Sequence, residues 1–199
     1  METLTRAFEF DAAHRVMGEK VKCFNLHGHH FKVEVTFEYR SKGSLGYAID
    51  FKDIKRIVGT WIDEKLDHAC IVNPQDEQII DLCRKNNWRL YIMGMGLYND
   101  VNPSAENLAS ELLFTLERIF MPDKNVHISK IRLYETPNCW VDTTYADYSG
   151  SQEFIDSIYQ WAHDKLSIRD KNKQTSTEID AYRQKEEDEA SAYKKRIRI

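Results

Sequence analysis

The sequence predicts an α+β domain in which helices cover one face of a four-stranded antiparallel sheet. Three observations support this prediction. Two segments near the N-terminus alternate apolar and polar residues, the middle of the chain carries apolar residues at helical spacing, and two strand-like segments follow with a short turn between them. Strands at both ends of a domain with helices between them are typical of helices packed on one side of an antiparallel sheet.

The first two strands are predicted over residues 4–14 and 27–40. Side chains of a strand point alternately to its two faces, so the apolar parity marks the packed face. In the second segment the apolar parity comprises His29, Phe31, Val33, Val35, Phe37 and Tyr39. His14 has the inward parity of the first strand, whereas His30 has the outward parity of the second and is expected to face water. The two glycines in residues 41–46 predict a turn after the second strand.

The middle of the chain is predicted to be mostly helical. Residues 51–66 carry an apolar stripe at steps of three and four, and Asp50 is suited to be the N-cap of this helix. Residues 76–86 predict a short helix, with a strand around 88–93. Asn102-Pro103-Ser104 predicts the start of another helix, because proline is favoured in a first turn.

The last part of the domain is predicted to be a hairpin. Residues 126–135 and 139–148 both have strand patterns, and only three residues separate them. An amphipathic helix follows over residues 153–168, and from Arg169 onward the chain is polar and mixed in charge. We therefore predict a domain over residues 1–150 and, over 151–199, a charged C-terminal extension that is helical or partly disordered.

Composition restricts the class of function. The net charge of −4 does not indicate a basic surface for nucleic acid, and no apolar run in the 199 residues is long enough to cross a bilayer or to serve as a secretory signal. The cysteines Cys23, Cys70, Cys83 and Cys139 form no CxxC pair, which favours free thiols in a reducing compartment. We expect a soluble cytoplasmic protein with neither a membrane nor a nucleic acid as partner.

A group of histidines is the strongest functional signal in the sequence. His14, His27 and His29 share the inward parity of two strands that could pair, and buried imidazoles need a partner. Zinc is commonly bound by histidines, and catalytic zinc keeps an open coordination position. A hydrogen-bonded core is the alternative for any one of these residues. Cys23, in the loop before His27, could be a fourth ligand of a closed structural site, but a reactive thiol is the favoured interpretation.

Two acidic positions are further candidates. Asp67 and His68 follow the end of the 51–66 helix, where the carboxylate could orient the imidazole. A histidine that merely interacts with the helix dipole is the alternative. Glu135 lies at the end of a predicted strand, and it could equally be a simple rim carboxylate.

Six short motifs in the same order resemble the 6-pyruvoyltetrahydropterin synthase / 6-carboxytetrahydropterin synthase family. They are Phe10-Asp11-Ala12-Ala13-His14, Cys23 with His27-Gly28-His29, Ile49-Asp50-Phe51, Leu66-Asp67-His68, Asn102-Pro103-Ser104-Ala105-Glu106-Asn107 and Tyr134-Glu135-Thr136. The resemblance covers residues 4–148. The extension after about residue 150 and the length of the 73–101 segment differ from the compact members of the family.

The resemblance implies a fold and an activity. The three residues between Cys23 and His27, together with Ile49-Asp50-Phe51, resemble the bacterial 6-carboxy-5,6,7,8-tetrahydropterin synthase branch of deazapurine (queuosine) biosynthesis. That branch implies conversion of 7,8-dihydroneopterin triphosphate to 6-carboxytetrahydropterin, acetaldehyde and triphosphate. It also implies the tunnelling fold (T-fold), in which the sheets of a homo-oligomer, a trimer or hexamer, join into a barrel with active sites at subunit interfaces.

The resemblance also implies a role for each candidate residue. His14, His27 and His29 would hold Zn²⁺, Cys23 would be the general base, and Glu135 would bind the pterin ring. Asp67 and His68 would form the proton relay. Two alternatives stay open: a pyruvoyl-type synthase that eliminates triphosphate, and a non-catalytic T-fold binding protein stabilised by zinc.

Overall fold

One sheet organises the protein. A computed structural model describes residues 2–94, 101–120, 123, 125–144 and 151–166. Within these residues six strands form a single sheet in the order β4-β3-β1-β2-β5-β6. The strands are β1 Glu2–His14, β2 His27–Tyr39, β3 Ala69–Val72, β4 Leu90–Ile92, β5 Val126–Thr136 and β6 Cys139–Thr143.

The central strands pair as the alternation predicts. β1 and β2 are antiparallel along their whole length, from Glu2 opposite Tyr39 to His14 opposite His27. β2 pairs antiparallel with β5, and β5 pairs antiparallel with β6, which forms the predicted hairpin. Because this register gives both long strands the same packed face, their apolar side chains form one continuous layer.

The prediction of four antiparallel strands is wrong in number and in direction. β3 pairs parallel with β1, and β4 pairs parallel with β3, so the sheet of the described residues is mixed. The helix that connects β3 to β4 lies within the 73–101 segment. Together with β3, this helix and β4 form a β-α-β unit. β3 has only four residues, all apolar, and such a short run shows neither strand nor helix periodicity.

Helices lie along the chain where apolar stripes predict them, with one departure. They are α1 Phe51–Ile54, α2 Thr60–Lys65, α3 Glu77–Asn86, α4 Ala105–Phe120 and α5 Gln152–Leu166. The predicted 51–66 helix begins after Asp50, whose side chain accepts a hydrogen bond from the Lys52 N–H at 2.8 Å. A π-helical turn over Lys55–Gly59 separates α1 from α2, and no local sequence pattern predicts it.

The core lies between the apolar face of the sheet and the helices. Helix α4 packs against β5 and β6, and its Phe120 ring contacts Phe37 of β2 at a centroid distance of 5.0 Å. Phe31, Val33, Val35 and Phe37 of β2 are 0% exposed. Each such side chain contributes about 1.5–3 kcal/mol by leaving water, so this layer stabilises the part of the sheet that carries the candidate site.

Some predictions concern residues outside this description. Residues 145–148 of the predicted last strand, 167–168 of the predicted last helix and the remainder of the extension lie outside the described residues. The chain divides into two compact units, residues 1–161 and 162–199, and the domain boundary near residue 150 stays a prediction. None of the helices in the described part is both long and apolar enough to span a bilayer.

Candidate metal centre

Three imidazoles meet at one end of the β1–β2 pair. His14 lies opposite His27 in the register, and His29 follows two residues later on the same face. Their ring centroids are 4.6 Å (His14–His27), 5.2 Å (His14–His29) and 4.9 Å (His27–His29) apart. One ring nitrogen from each lies within 4.8 Å of the others. The antiparallel register thus produces a convergent set of three nitrogen donors from residues that are far apart in the sequence.

Backbone carbonyls orient two of the rings. The Nδ1–H of His14 donates to the carbonyl of Pro103 at 2.7 Å, and the Nδ1–H of His27 donates to the carbonyl of Asn25 at 2.7 Å. When Nδ1 carries the proton, Nε2 keeps a free lone pair, which is the arrangement that metal-binding histidines show. No sequence pattern predicts these two carbonyl partners.

The chemistry of this donor set fits a zinc ion. His14 is 2% exposed, and its Nε2 is buried without a hydrogen-bond partner. A buried polar atom without a partner is costly, and a metal ion would satisfy it. Burial lowers the pKa of His14 below its ordinary value, although the bond to Pro103 opposes this shift. The ring is therefore neutral near pH 7, as a metal ligand must be.

Phenylalanine rings pack against two of the three histidines, His14 and His29. Phe31, next inward on β2, has its ring centroid 5.6 Å from that of His14 and 5.7 Å from that of His29, both nearly edge-on. Phe31 stacks in turn on Phe10 of β1 at 5.1 Å. Because Phe31 is fully buried, this packing restricts the imidazoles to a narrow range of positions.

Glu135 lies beside the three histidines, as the last-but-one residue of β5. Its Oε1 is 3.5 Å from Nε2 of His14 and 3.9 Å from Nε2 of His29. The Glu135 side chain is 30% exposed, so the carboxylate is partly open to solvent. The structure therefore brings Glu135 to the centre, where it could contact a molecule bound there.

Cys23 lies in the loop between β1 and β2, and its side chain is exposed. The Val16 N–H donates to the carbonyl of Cys23 at 2.7 Å, which returns this part of the loop to the end of β1. Its thiol is not part of the group of convergent ligand atoms. Cys23 is therefore not a fourth ligand in this arrangement, and its backbone is held at the end of β1.

Asp67 and His68 form a hydrogen-bonded pair that lies beside Asp11, further along the sheet than the three histidines. The Nδ1–H of His68 donates to Asp67 Oδ2 at 2.8 Å, and Asp67 Oδ1 accepts from the Asp11 N–H at 3.0 Å. His68 has a φ of 59°, a left-handed conformation that is uncommon outside glycine and clusters at functional sites. Burial raises the pKa of the Asp67 carboxyl, but the bonds from Asp11 and His68 outweigh it and lower the pKa overall.

This pair does not meet the three histidines within one chain. Asp11, to which both residues are bonded, precedes His14 by three positions, or about 10 Å along a strand. The Asp11 side chain lies on the outward face, where it accepts from His30. The His68 side chain is 75% exposed. The His68 side chain is thus presented to solvent.

Three polar residues that sequence reasoning did not assign to the site surround the Cys23 loop. Arg15 pairs with Asp76 at the start of α3, and Asn102 pairs with Met17. The sequence signals were the place of Asp76 at the start of the predicted 76–86 helix and the place of Asn102 in a family motif. An arginine partner cannot be read from such positions.

The sheet of paired β1–β2 and β5–β6 strands, covered by helices and carrying three histidines, agrees with the T-fold that the sequence motifs imply. A family model described as 6-pyruvoyl tetrahydropterin synthase matches residues 3–146. The chain therefore belongs to this family of enzymes, as the sequence motifs predicted.

Curated relatives support the same assignment. The chain is 37% identical over 141 residues to a protein of Rickettsia felis named 6-carboxy-5,6,7,8-tetrahydropterin synthase, a match that covers 69% of this chain and 96% of the relative. It is 33% identical over 154 residues to a protein of the same name from Haemophilus influenzae, covering 74% and 99%.

Solved structures confirm the fold. An uncharacterized protein from Wolinella succinogenes superposes with a TM-score of 0.56 at 21% identity, over 72% of this chain and 97% of that one. The 6-pyruvoyl tetrahydropterin synthase of Caenorhabditis elegans gives 0.53 at 20% identity, over 73% and 96%. The predicted T-fold is therefore confirmed at the level of architecture.

Proposed function

We propose that this protein is a zinc-dependent 6-carboxy-5,6,7,8-tetrahydropterin synthase. It converts 7,8-dihydroneopterin triphosphate to 6-carboxytetrahydropterin, acetaldehyde and triphosphate, as a step in deazapurine (queuosine) biosynthesis in the cytoplasm. The observation that carries the proposal is the convergent group of His14, His27 and His29 in a chain whose relatives bear this enzyme's name. The orphaned Nε2 of His14 supports zinc as the resident ion.

The side chains around the centre have distinct roles in this proposal. When bound, zinc acts as a Lewis acid that polarises a hydroxyl of the substrate side chain. Cys23, as a thiolate, removes a proton from the substrate side chain. Glu135 accepts hydrogen bonds from the amino-pyrimidinone edge of the pterin, for which a carboxylate has two suitable oxygens. Its position 3.5 Å from His14 Nε2 supports this role, since a bound pterin would then lie against the metal centre.

Asp67 and His68 complete the site from a second subunit. Asp67 Oδ2 holds His68 in one tautomer, so that Nε2 can accept and return a proton. Because the pair lies at Asp11 and faces outward, it serves the histidines of a neighbouring chain in a homo-oligomer, a trimer or hexamer.

Product identification tests the activity. Purified zinc-loaded protein is incubated with 7,8-dihydroneopterin triphosphate, and the products are identified by mass spectrometry together with an alcohol dehydrogenase assay for acetaldehyde. The proposal predicts acetaldehyde and 6-carboxytetrahydropterin in equal amounts. Triphosphate release without acetaldehyde would instead indicate a pyruvoyl-type synthase. No turnover at full zinc occupancy would indicate a non-catalytic binding protein.

Mixing two inactive variants tests the shared site. Cys23→Ala and His68→Ala are each expected to abolish turnover. If one chain supplies Cys23 and its neighbour supplies His68, random mixed oligomers regain about a quarter of the wild-type activity. Half of the sites then contain an intact Cys23, and half of those also receive an intact His68 from the neighbouring chain. Mixtures that stay inactive, although exchange of chains is shown by mass spectrometry, would place both residues in one chain's site.

A further inference from the structure

A buried ion pair fastens the Cys23 loop to helix α3. Arg15, the residue after His14, donates from Nε to Asp76 Oδ2 at 2.5 Å and from a terminal nitrogen to Asp76 Oδ1 at 2.6 Å. The two side chains are 12% and 1% exposed. A two-pronged arginine–carboxylate contact fixes both direction and distance, and removing one partner of such a buried pair leaves an uncompensated charge.

The same arginine contacts the residue after Cys23. The guanidinium carbon of Arg15 lies 5.3 Å from the centroid of the Phe24 ring, within the range of cation–π attraction. The carbonyl of Cys23 is itself held by the Val16 N–H. The backbone of Cys23 and the ring beside it are therefore both tied to the end of β1, within two residues of a proposed zinc ligand.

Asn102 makes a second attachment at the base of the loop. Its Oδ1 accepts from the Met17 N–H at 2.8 Å, and its Nδ2 donates to the Met17 carbonyl at 3.0 Å. Asn102 directly precedes Pro103, whose carbonyl orients His14. The adjacent residues Asn102 and Pro103 therefore hold both the loop and the proposed ligand His14. The Arg15–Asp76 pair joins the same loop to α3.

Asp76 also has a purely local task. It is the N-cap of α3, and its Oδ1 accepts from the Ile79 N–H at 3.2 Å. An N-cap alone needs only a short side-chain acceptor, and asparagine caps helices as well as aspartate does. The negative charge and the second oxygen of Asp76 are therefore explained by Arg15, not by the helix.

We propose that Asp76 is a positioning residue for Cys23, which it holds near the three histidines through Arg15 and Phe24. Helix α3, in the 73–101 segment whose length differs from that of compact family members, thereby takes part in shaping the catalytic site. The structural part of this inference concerns the loop alone, whereas its consequence for turnover rests on the proposed function.

Three variants and a matched control test the link. Asp76→Asn keeps the helix cap but removes the charge, Phe24→Leu removes the ring, and the third variant combines both. Asp142→Asn is the control, because Asp142 forms an equally two-pronged pair with Arg132, at 2.6 Å for both contacts, on β5 and β6. Zinc content and thermal unfolding are measured for all four proteins.

The first readout is independent of the reaction. Trypsin cleavage after the exposed Lys20 and Lys22 reports how firmly the loop is held. Asp76→Asn and Phe24→Leu are each expected to increase its rate at least about fivefold, with no further increase in the double variant, because both break the same link. Asp142→Asn is expected to leave it unchanged. A rate for Asp76→Asn within about twofold of wild type, or effects that multiply in the double variant, would overturn the proposal.

The second readout separates positioning from folding. At unchanged zinc content, kcat of Asp76→Asn should fall at least about tenfold while KM changes less than about twofold, since the thiol but not the substrate site has moved. A loosened loop with wild-type kcat would overturn the positioning role. If the wild-type protein itself shows no turnover while its loop responds as predicted, the proposed function fails and the structural link stands.

Discussion

Phe31 and Phe37 offer a matched pair of positions for testing how the core supports the metal centre. Both lie on β2, both are 0% exposed, and each contacts one other phenylalanine, Phe10 in the first case and Phe120 in the second. Only Phe31 also touches histidines, with centroid distances of 5.6 Å to His14 and 5.7 Å to His29. A substitution at either position should therefore cost similar stability but affect metal binding differently.

The magnitudes follow from burial. Replacing a fully buried phenylalanine by alanine costs about 3–5 kcal/mol, a large share of the roughly 5–15 kcal/mol that stabilises a typical domain. Leucine keeps much of the volume, so Phe31→Leu and Phe37→Leu are expected to cost less than about 3 kcal/mol and to stay folded. Loss of a side chain that positions metal ligands typically lowers metal affinity by about 10–100-fold.

The assay measures two quantities on the same samples. Urea unfolding of the metal-free proteins gives the loss of stability, and competition with a chromophoric chelator gives the zinc affinity. We expect equal destabilisation within about 1 kcal/mol and weaker zinc binding only for Phe31→Leu. Equal zinc affinity in the two variants would show that Phe31 does not position the histidines.

Three further predictions concern the ionisable groups. Burial lowers the pKa of His14 beneath its ordinary value of 6.5, so below that pH the unfolded chain binds a proton that the folded chain does not. The stability of the metal-free protein should therefore fall as the pH drops below 6.5, and it should fall less steeply in His14→Gln. Urea titrations at several pH values measure both. Asp67→Asn should reduce kcat about 10²–10⁴-fold with full zinc content, because His68 loses the carboxylate that orients it, and retention of wild-type kcat would remove the relay. Tyr91→Phe should cost about 1–3 kcal/mol in thermal or urea unfolding, since the buried Tyr91 hydroxyl donates to Glu111 at 2.5 Å, and no loss of stability would contradict that estimate.

The strands of the central sheet could be predicted because alternation alone determines them. In β2, each residue from Phe31 to Val35 is assigned to the packed or the outward face by parity, and the observed burial follows this assignment. The same parity placed His14, His27 and His29 on one face, and antiparallel pairing of two adjacent strands was sufficient to bring them together.

The parallel pairing of β3 and β4 could not be predicted for the opposite reason. β3 is too short for a period, and its pairing with β4 depends on a crossover through α3 that no local pattern encodes. Asp76, the tertiary partner of Arg15, could not be predicted either, because 61 positions separate the two residues. Local propensity thus determines the elements, whereas long-range pairing decides what lies next to the Cys23 loop.

Placement of the catalytic candidates shows the same division. The motifs identified Asp67 and His68, but no property of a linear sequence reveals that the pair faces away from the histidines of its own chain. That arrangement depends on which strand β3 joins and at which level, and both follow only from the folded structure.

The proposed activity depends most directly on whether the three imidazoles bind a metal. Inductively coupled plasma mass spectrometry of protein purified without added metal or chelator, alongside His27→Ala, measures this. We expect about one zinc per chain in the wild-type protein, because the three histidine donors converge on one site. The variant should lose most of that zinc. Wild-type protein that contains no transition metal and takes up none when zinc is supplied, or a variant that retains the full complement, would contradict the account.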